Sequence, residues 1–183
     1  YFFIFAVQRN EYFFVRANIS DIKCGFLHIF YAFVHKTSCI MGKNIAILAS
    51  GNGTNAENII RYFREKATAR VALVLTNRPS AYVLQRAASL DVPALCFSKD
   101  EWADGRPVLQ ALQAHAIDFV VLAGFLARVP DNILHAYPQR MVNIHPSLLP
   151  KFGGKGMYGD RVHQAVLAAG ETESGITIHY TNE

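Results

Sequence analysis

The stretch NIAILASGNGTNA, residues 44–56, joins a short apolar run to a turn that contains two glycines. An apolar run without polar alternation is typical of a strand that is buried on both faces of a parallel sheet. Gly51 and Gly53 indicate a tight turn. Apolar residues then recur at helical spacing over residues 56–63. The stretch therefore predicts a buried strand, a turn and a helix, the first half of a βαβ unit.

Strands and helices are predicted to alternate along the rest of the chain. The further strands are expected at 71–76, 92–97, 118–125, 141–145 and 175–180, and the helices near 82–90, 107–115 and 162–169, with a short helix opened by Pro130. This alternation predicts an α/β protein with an open, doubly wound, mostly parallel sheet. In such sheets ligands bind beyond the carboxyl ends of the strands.

Composition narrows the function classes. The chain has 183 residues, of which 51% are hydrophobic and 17% charged, as in an ordinary globular domain. Its net charge is +4, but the part from Met41 onward carries only +2, which does not favour nucleic-acid binding. The three cysteines, Cys24, Cys39 and Cys96, fit neither a disulfide framework nor a metal site and favour the cytoplasm. Cys96 lies in an apolar strand and is expected in the core.

Residues 1–40 differ from the rest of the chain. They contain 11 of the 22 aromatic residues, and Met41 is the first methionine. Their apolar runs are shorter than the ~20 residues that span a bilayer, and they lack the order of a secretory signal. We therefore expect 1–40 to be a non-native upstream extension and 41–183 to be the functional domain.

The turn after the first strand is a candidate anion site. Backbone N–H groups and the positive end of the helix dipole are expected to converge at one point of the turn 51–56. A dinucleotide site would need an acidic residue after the second strand, and Asn77 and Arg78 stand there instead, which disfavours NAD. The alternative is a turn in which glycine serves backbone geometry alone.

Asn143 and His145 form the second candidate site. Residues two apart on a strand share a face, so both side chains could reach one ligand atom. An amide donor and an imidazole suit stabilisation of an oxyanion and proton transfer. The alternative is a hydrogen-bonded structural pair. His163 and His179 are expected to be structural, with a supporting role next to the site residues as the alternative.

Four motifs occur in a characteristic order: GNGTN at 51–55, VLAGF at 121–125, NIHPSLLP at 143–150 and GITIHY at 175–180. In order and spacing they resemble the folate-dependent phosphoribosylglycinamide formyltransferases, from about Met41 to Glu183. The resemblance implies a Rossmann-like formyltransferase fold and a step of purine synthesis. In that step the amine of glycinamide ribonucleotide attacks the formyl carbonyl of 10-formyltetrahydrofolate, a co-substrate, and no metal takes part.

The resemblance also implies residue roles. Gly53, Thr54 and Asn55 would bind the nucleotide phosphate, while Asn143 and His145 would stabilise the tetrahedral oxyanion, His145 as imidazolium. The implied folate contacts are Arg106, Leu126, Ala127, Arg128, Val129, Asn143, Thr181, Asn182 and Glu183. The partners would be small molecules, without nucleic acid or membrane, and the protein a monomer or weak homodimer.

One departure from the family pattern concerns catalysis. In the family an Asp-x-Gly follows GITIHY, and its Asp, expected at the third position after Glu183, raises the pKa of the catalytic histidine. We therefore expect this chain to be an inactive, C-terminally truncated fragment. The alternatives are a non-catalytic nucleotide or folate binder, methionyl-tRNA formyltransferase and formyltetrahydrofolate deformylase.

Overall fold

The computed structural model describes residues 7–9, 12–18, 40–154, 160–171 and 173–181. These residues form one eight-stranded sheet with the order β1-β2-β8-β7-β6-β3-β4-β5. The strands are β1 (Val7–Arg9), β2 (Tyr12–Asn18), β3 (Asn44–Leu48), β4 (Arg70–Thr76), β5 (Ala94–Cys96), β6 (Phe119–Ala123), β7 (Met141–His145) and β8 (Glu173–Tyr180). The five strands β3 to β7 are parallel to one another, and β8 is antiparallel to β7. The predicted α/β class and mostly parallel sheet are confirmed.

Six helices are described. They are α1 (Thr54–Lys66), α2 (Val83–Ser89), α3 (Lys99–Asp104), α4 (Arg106–Ala114), α5 (Asp131–Ala136) and α6 (Asp160–Ala168). Helix α3 was not among the predicted elements. It begins with a capping box, in which the Ser98 hydroxyl accepts from the Glu101 N–H and the Glu101 carboxylate accepts from the Ser98 N–H.

The core lies on both faces of the sheet. In β3, Ile45 and Ile47 pack with α1 and α2, whereas Ala46 and Leu48 pack with α3, α4 and α5. Each of these four side chains is fully buried. Alternate residues of one strand therefore serve opposite layers, as a doubly wound sheet requires.

The chain changes direction beside β3. It runs from β3 outward to β4 and β5, and then returns to β6 on the other side of β3. The carboxyl ends of β3 and β6 consequently meet at a topological switch point, where ligands bind in open α/β sheets.

The expectation that Cys96 is a core residue is wrong, because its side chain is exposed. It belongs to β5, which among the strands described pairs only with β4, at one edge of the sheet. An edge strand has a neighbour on one side only, so an apolar run there does not guarantee burial.

The other edge of the sheet contains an unpredicted feature. Strand β2 pairs antiparallel with β8 over seven residue pairs, from Tyr12 opposite His179 to Asn18 opposite Glu173. Part of the segment 1–40 thus extends the sheet beyond β8. None of the helices described is long and apolar enough to cross a membrane.

Candidate functional site

The turn between β3 and α1 has the geometry that an anion site requires. Gly53 is the N-cap of α1 with φ +76°, and no side chain caps this helix end. The first intrahelical bond runs from the Glu57 N–H to the Gly53 carbonyl at 2.9 Å. The N–H groups that precede Glu57 therefore have no acceptor within the helix and are available to an anion.

The first residue of helix α2, Val83, packs against this turn. The Val83 N–H donates to the Gly51 carbonyl at 3.1 Å. A Cβ at Gly53 would lie 2.6 Å from Val83 Cβ and 2.8 Å from Val83 Cα. Gly53 is thus required both for its positive φ and for the close approach of the two backbones.

Ser50 connects three strand ends at the switch point. Its buried hydroxyl donates to Asn77 Oδ1 at 2.7 Å, beyond β4, and accepts from the Leu126 N–H at 2.9 Å, beyond β6. Its backbone N–H donates to the Gly124 carbonyl at 3.1 Å. This one residue therefore links the candidate anion turn to the segment 124–129.

A cavity of about 420 Å³ opens beside that segment. Its lining residues are Leu122, Phe125, Ala127, Arg128, Val129, Asp131, Leu134, His135, Asn143 and Thr181. Apolar and polar side chains are mixed in this wall, as is usual for sites that bind a small organic molecule. The volume lies in the range of sites that bind a small organic molecule.

The cavity gathers five of the predicted folate contacts, namely Ala127, Arg128, Val129, Asn143 and Thr181. Leu126 is outside the lining and 41% exposed. Arg106 is also outside it, with its exposed guanidinium paired to Asp104 at 2.6 Å. Asn182 and Glu183 lie outside the described residues.

Trp102 holds one wall of the cavity in place. Its indole N–H donates to the Arg128 carbonyl at 2.9 Å, and its ring packs on Phe125 with 4.6 Å between centroids. The indole is buried, so this hydrogen bond is protected from water. The backbone of the segment 125–128 is therefore fixed before any ligand binds.

Asn143 and His145 share one face of β7, as the sequence predicted. Both are half-buried, whereas Val142 and Ile144, on the opposite face, are buried. The His145 Nε2–H donates to the Phe152 carbonyl at 2.8 Å, which also accepts from the Ser147 hydroxyl at 3.0 Å. The loop after β7 therefore folds back onto this imidazole.

His179 is a functional candidate that the sequence analysis treated as structural. It lies opposite Asn143 in the β7–β8 register, and its Nε2 accepts from Asn143 Nδ2 at 3.1 Å. Its Nδ1–H donates to the Tyr180 carbonyl at 3.0 Å. These two partners fix a neutral imidazole, which in turn fixes the rotation of the Asn143 amide. The signal for this role is the cross-strand register, which the sequence alone does not supply.

We expect His179 to titrate below its usual range. Burial lowers the pKa of His179, with a smaller contribution from the charge of His145. Because the folded pKa lies below the unfolded value of about 6.5, the unfolded state takes up the proton first as the pH falls. The free energy of unfolding therefore decreases as the pH drops from about 6.5 to the folded pKa. NMR titration of the imidazole protons of His179 should show a pKa below the ordinary histidine value of about 6.5. A pKa for His179 at or above that value would contradict the prediction.

An open α/β sheet with a cavity and a candidate anion turn at its carboxyl edge is typical of the α/β proteins that bind a ligand at a topological switch point. The family model described as formyl transferase matches residues 43–183, and the chain belongs to this family. The resemblance inferred from the four motifs is thereby confirmed.

Particular relatives are phosphoribosylglycinamide formyltransferases. The chain is 40% identical over 147 residues to the chloroplastic enzyme of Arabidopsis thaliana, covering 77% of this chain and 50% of that protein. It is 36% identical over 146 residues to the enzyme of Bacillus subtilis, covering 77% of this chain and 72% of that protein. The chain thus spans about half the length of the Arabidopsis relative.

Solved structures agree with this relationship. Glycinamide ribonucleotide transformylase 1 from Geobacillus kaustophilus superposes with a TM-score of 0.69 at 38% identity, covering 78% of this chain and 76% of that one. The corresponding protein from Symbiobacterium toebii gives 0.70 at 36% identity, with 77% and 66% covered. The likeness therefore extends to the fold as well as to the sequence.

Proposed function

We propose that this protein binds glycinamide ribonucleotide and 10-formyltetrahydrofolate and serves formyl transfer to the ribonucleotide amine. The observation that carries the proposal is the pairing of two sites at the carboxyl edge of the sheet, the uncapped start of α1 and the cavity that contains Asn143. The names of the relatives support the choice of substrates.

In this proposal the phosphate binds at Gly53, Thr54 and Asn55. A doubly charged phosphate is stabilised by free backbone N–H groups and by the positive end of the helix dipole. The folate would occupy the cavity, where the backbone held by Trp102 supplies fixed hydrogen-bonding groups. Arg106 would contact the folate only after exchanging its partner Asp104 for a ligand carboxylate.

The reacting carbonyl would lie near Asn143 and His145. The amide of Asn143 has a second N–H besides the one given to His179, and this hydrogen can donate to the developing oxyanion. The ring of His145 would move a proton after releasing the Phe152 carbonyl. His179 orients the amide without touching the substrate.

Thermal unfolding tests the proposal. At a ligand concentration of one hundred times Kd, a native-state ligand stabilises by about 2.7 kcal/mol. That corresponds to a rise in Tm of roughly 5–10 °C for a chain of this size. We expect this rise with glycinamide ribonucleotide and with a folate analogue, and none with glycinamide, which lacks the phosphate. The absence of a shift with the ribonucleotide at millimolar concentration would contradict the proposal.

Formyl transfer itself is measured by following the folate product. The expectation that the 183-residue chain does not turn over stays a prediction, and the same assay tests it. Binding of both ligands without turnover, even in a chain that carries the family's Asp-x-Gly motif, would favour the non-catalytic binder instead.

We also propose that residues 1–40 precede the formyl transferase unit and are not part of it, although β2 within this segment pairs with β8 of that unit. The family model begins at residue 43, which supports this boundary. Mass spectrometry of the native N-terminus tests it, because a peptide from residues 1–40 would contradict a non-native origin. Two plant relatives are chloroplastic, so the cytoplasmic location stays a prediction.

A further inference from the structure

All three guanidinium nitrogens of Arg86, on α2, bind acceptors in or next to the candidate phosphate turn. Its Nε donates to the Asn52 backbone carbonyl at 2.8 Å, and one terminal nitrogen donates to Asn52 Oδ1 at 3.2 Å. The other terminal nitrogen pairs with the Glu57 carboxylate in the first turn of α1. Arg86 thus joins three acceptors that lie on both sides of Gly53.

The side chain of Arg86 also contacts an aromatic ring at the start of its own helix. Its guanidinium lies over the Tyr82 ring, 5.0 Å from the centroid, and the side chain is 24% exposed. A planar guanidinium with several simultaneous acceptors is more rigid than a single ion pair. Its geometry is therefore set before ligand binds.

The backbone carbonyl oxygen and the side-chain Oδ1 of Asn52 could interfere with anion binding. Asn52 directly precedes Gly53, and each of these oxygens carries a partial negative charge. If either oxygen turned towards the start of α1, it would repel a phosphate and compete for the N–H groups there. Arg86 engages both oxygens at once and so keeps them away.

The carboxylate of Glu57 carries a full negative charge, which would also repel a phosphate bound at the start of α1. Arg61 and Arg86 both hydrogen-bond this carboxylate, and they lower the pKa of Glu57, in the order Arg61 and then Arg86. Glu57 therefore stays ionised close to the proposed phosphate. Its charge is offset from two sides, so it does not dominate the local potential.

We propose that Arg86 is a positioning residue for phosphate binding, which fixes the turn 51–53 by holding both oxygens of Asn52. The inference rests on the proposed function and deepens it, since it says how the phosphate site is kept open. Arg86 acts through Asn52 and need not touch the substrate.

Arg61 provides a matched control. It binds the same Glu57 carboxylate, at 2.8 and 3.0 Å, and among the described residues it has no other hydrogen-bond partner. It is 63% exposed and separated from the turn. Arg61→Met therefore removes one charge from Glu57 and leaves Asn52 held, whereas Arg86→Met removes a charge and releases Asn52.

The first measurement needs no ligand. In the full chain, hydrogen–deuterium exchange of the Val83 and Glu57 amides, which donate to the Gly51 and Gly53 carbonyls of the turn, should be at least about tenfold faster in Arg86→Met, and within twofold of wild type in Arg61→Met. Arg86→Lys keeps the charge without the planar fork, so it should also exchange faster than wild type. Equal exchange in wild type, Arg86→Met and Arg86→Lys would overturn the positioning role.

The second measurement is affinity for glycinamide ribonucleotide. We expect a loss of at least about tenfold in Arg86→Met and a clear loss in Arg86→Lys, with less than twofold change in Arg61→Met. Affinity for a folate analogue should be unchanged in all three, which separates positioning from general damage. If Arg86→Met does not fold, the comparison of Arg86→Lys with Arg61→Met decides the matter.

The outcomes distinguish this inference from the proposed function. If wild type binds the ribonucleotide and the Arg86 variants bind it equally well, the inference is overturned and the function stands. If wild type does not bind it, the proposed function fails and the phosphate role of Arg86 fails with it. Affinity kept in Arg86→Lys but lost in Arg86→Met would also overturn it, because charge alone would then suffice.

Discussion

Gly53→Ala is expected to destabilise the protein by about 2–5 kcal/mol and to abolish binding of glycinamide ribonucleotide. A residue with a Cβ pays about 1–2 kcal/mol for the left-handed conformation at φ +76°. Displacing the Val83 backbone, whose Cα would lie 2.8 Å from the new Cβ, costs about 1–3 kcal/mol more. Urea denaturation measures the stability, and calorimetric titration measures the binding.

The binding loss follows from the same displacement. To remove the clash between the new Cβ and Val83, α1 and α2 must move apart. The N–H groups at the start of α1 then no longer point at one phosphate position. A misplaced anion site loses affinity even when each donor survives, because the donors no longer converge. The cavity beside 124–129 lies on the other side of Ser50 and should keep its affinity for a folate analogue.

Gly51→Ala is the matched control for this prediction. Gly51 lies two residues earlier in the same turn, and a Cβ there would meet nothing within 4 Å. We expect a change in stability below about 1 kcal/mol and unimpaired ribonucleotide binding. Equal effects of the two substitutions would show that the close approach at Gly53 is not what the turn requires.

The parallel strands were predictable because their burial is nearly complete. Residues of β3, β4 and β6 are buried almost without exception, so the apolar runs in the sequence coincide with the strands. The helix α3 was missed although its capping box, Ser98 with Glu101, stands in the sequence. The pairing of β2 with β8 was not predictable, because it joins residues more than 150 positions apart.

The candidate site was predictable only in part. Gly53, Asn143 and His145 lie where strand periodicity and turn chemistry place them, because each depends on local geometry. The partners of these residues depend on tertiary contacts. Arg86 approaches the turn from another helix, and His179 meets Asn143 across two strands. Neither contact is encoded by residues close together in the sequence, so the sequence alone predicts neither the role of Arg86 nor that of His179.

Ser50→Ala should have the second large effect, about 2–4 kcal/mol of stability together with weaker binding of both ligands. The substitution removes two hydrogen bonds and leaves the Leu126 N–H and Asn77 Oδ1 without their partner. Because Ser50 is 1% exposed at a packed switch point, water cannot readily replace its hydroxyl.

The double loss of affinity distinguishes Ser50 from the residues of either site. Gly53 and Arg86 act on the phosphate turn alone, whereas Ser50 holds the ends of β3, β4 and β6 together, so its loss should loosen the turn and the segment 124–129 at once. Ser89→Ala is the control, since among the described residues the exposed Ser89 hydroxyl donates only to the Arg86 carbonyl within its own helix. It should change stability by no more than about 0.5 kcal/mol. The affinity of Ser50→Ala is measured by titration with each ligand separately. A loss of affinity for one ligand alone would mean that the two sites are held independently and that Ser50 does not couple them.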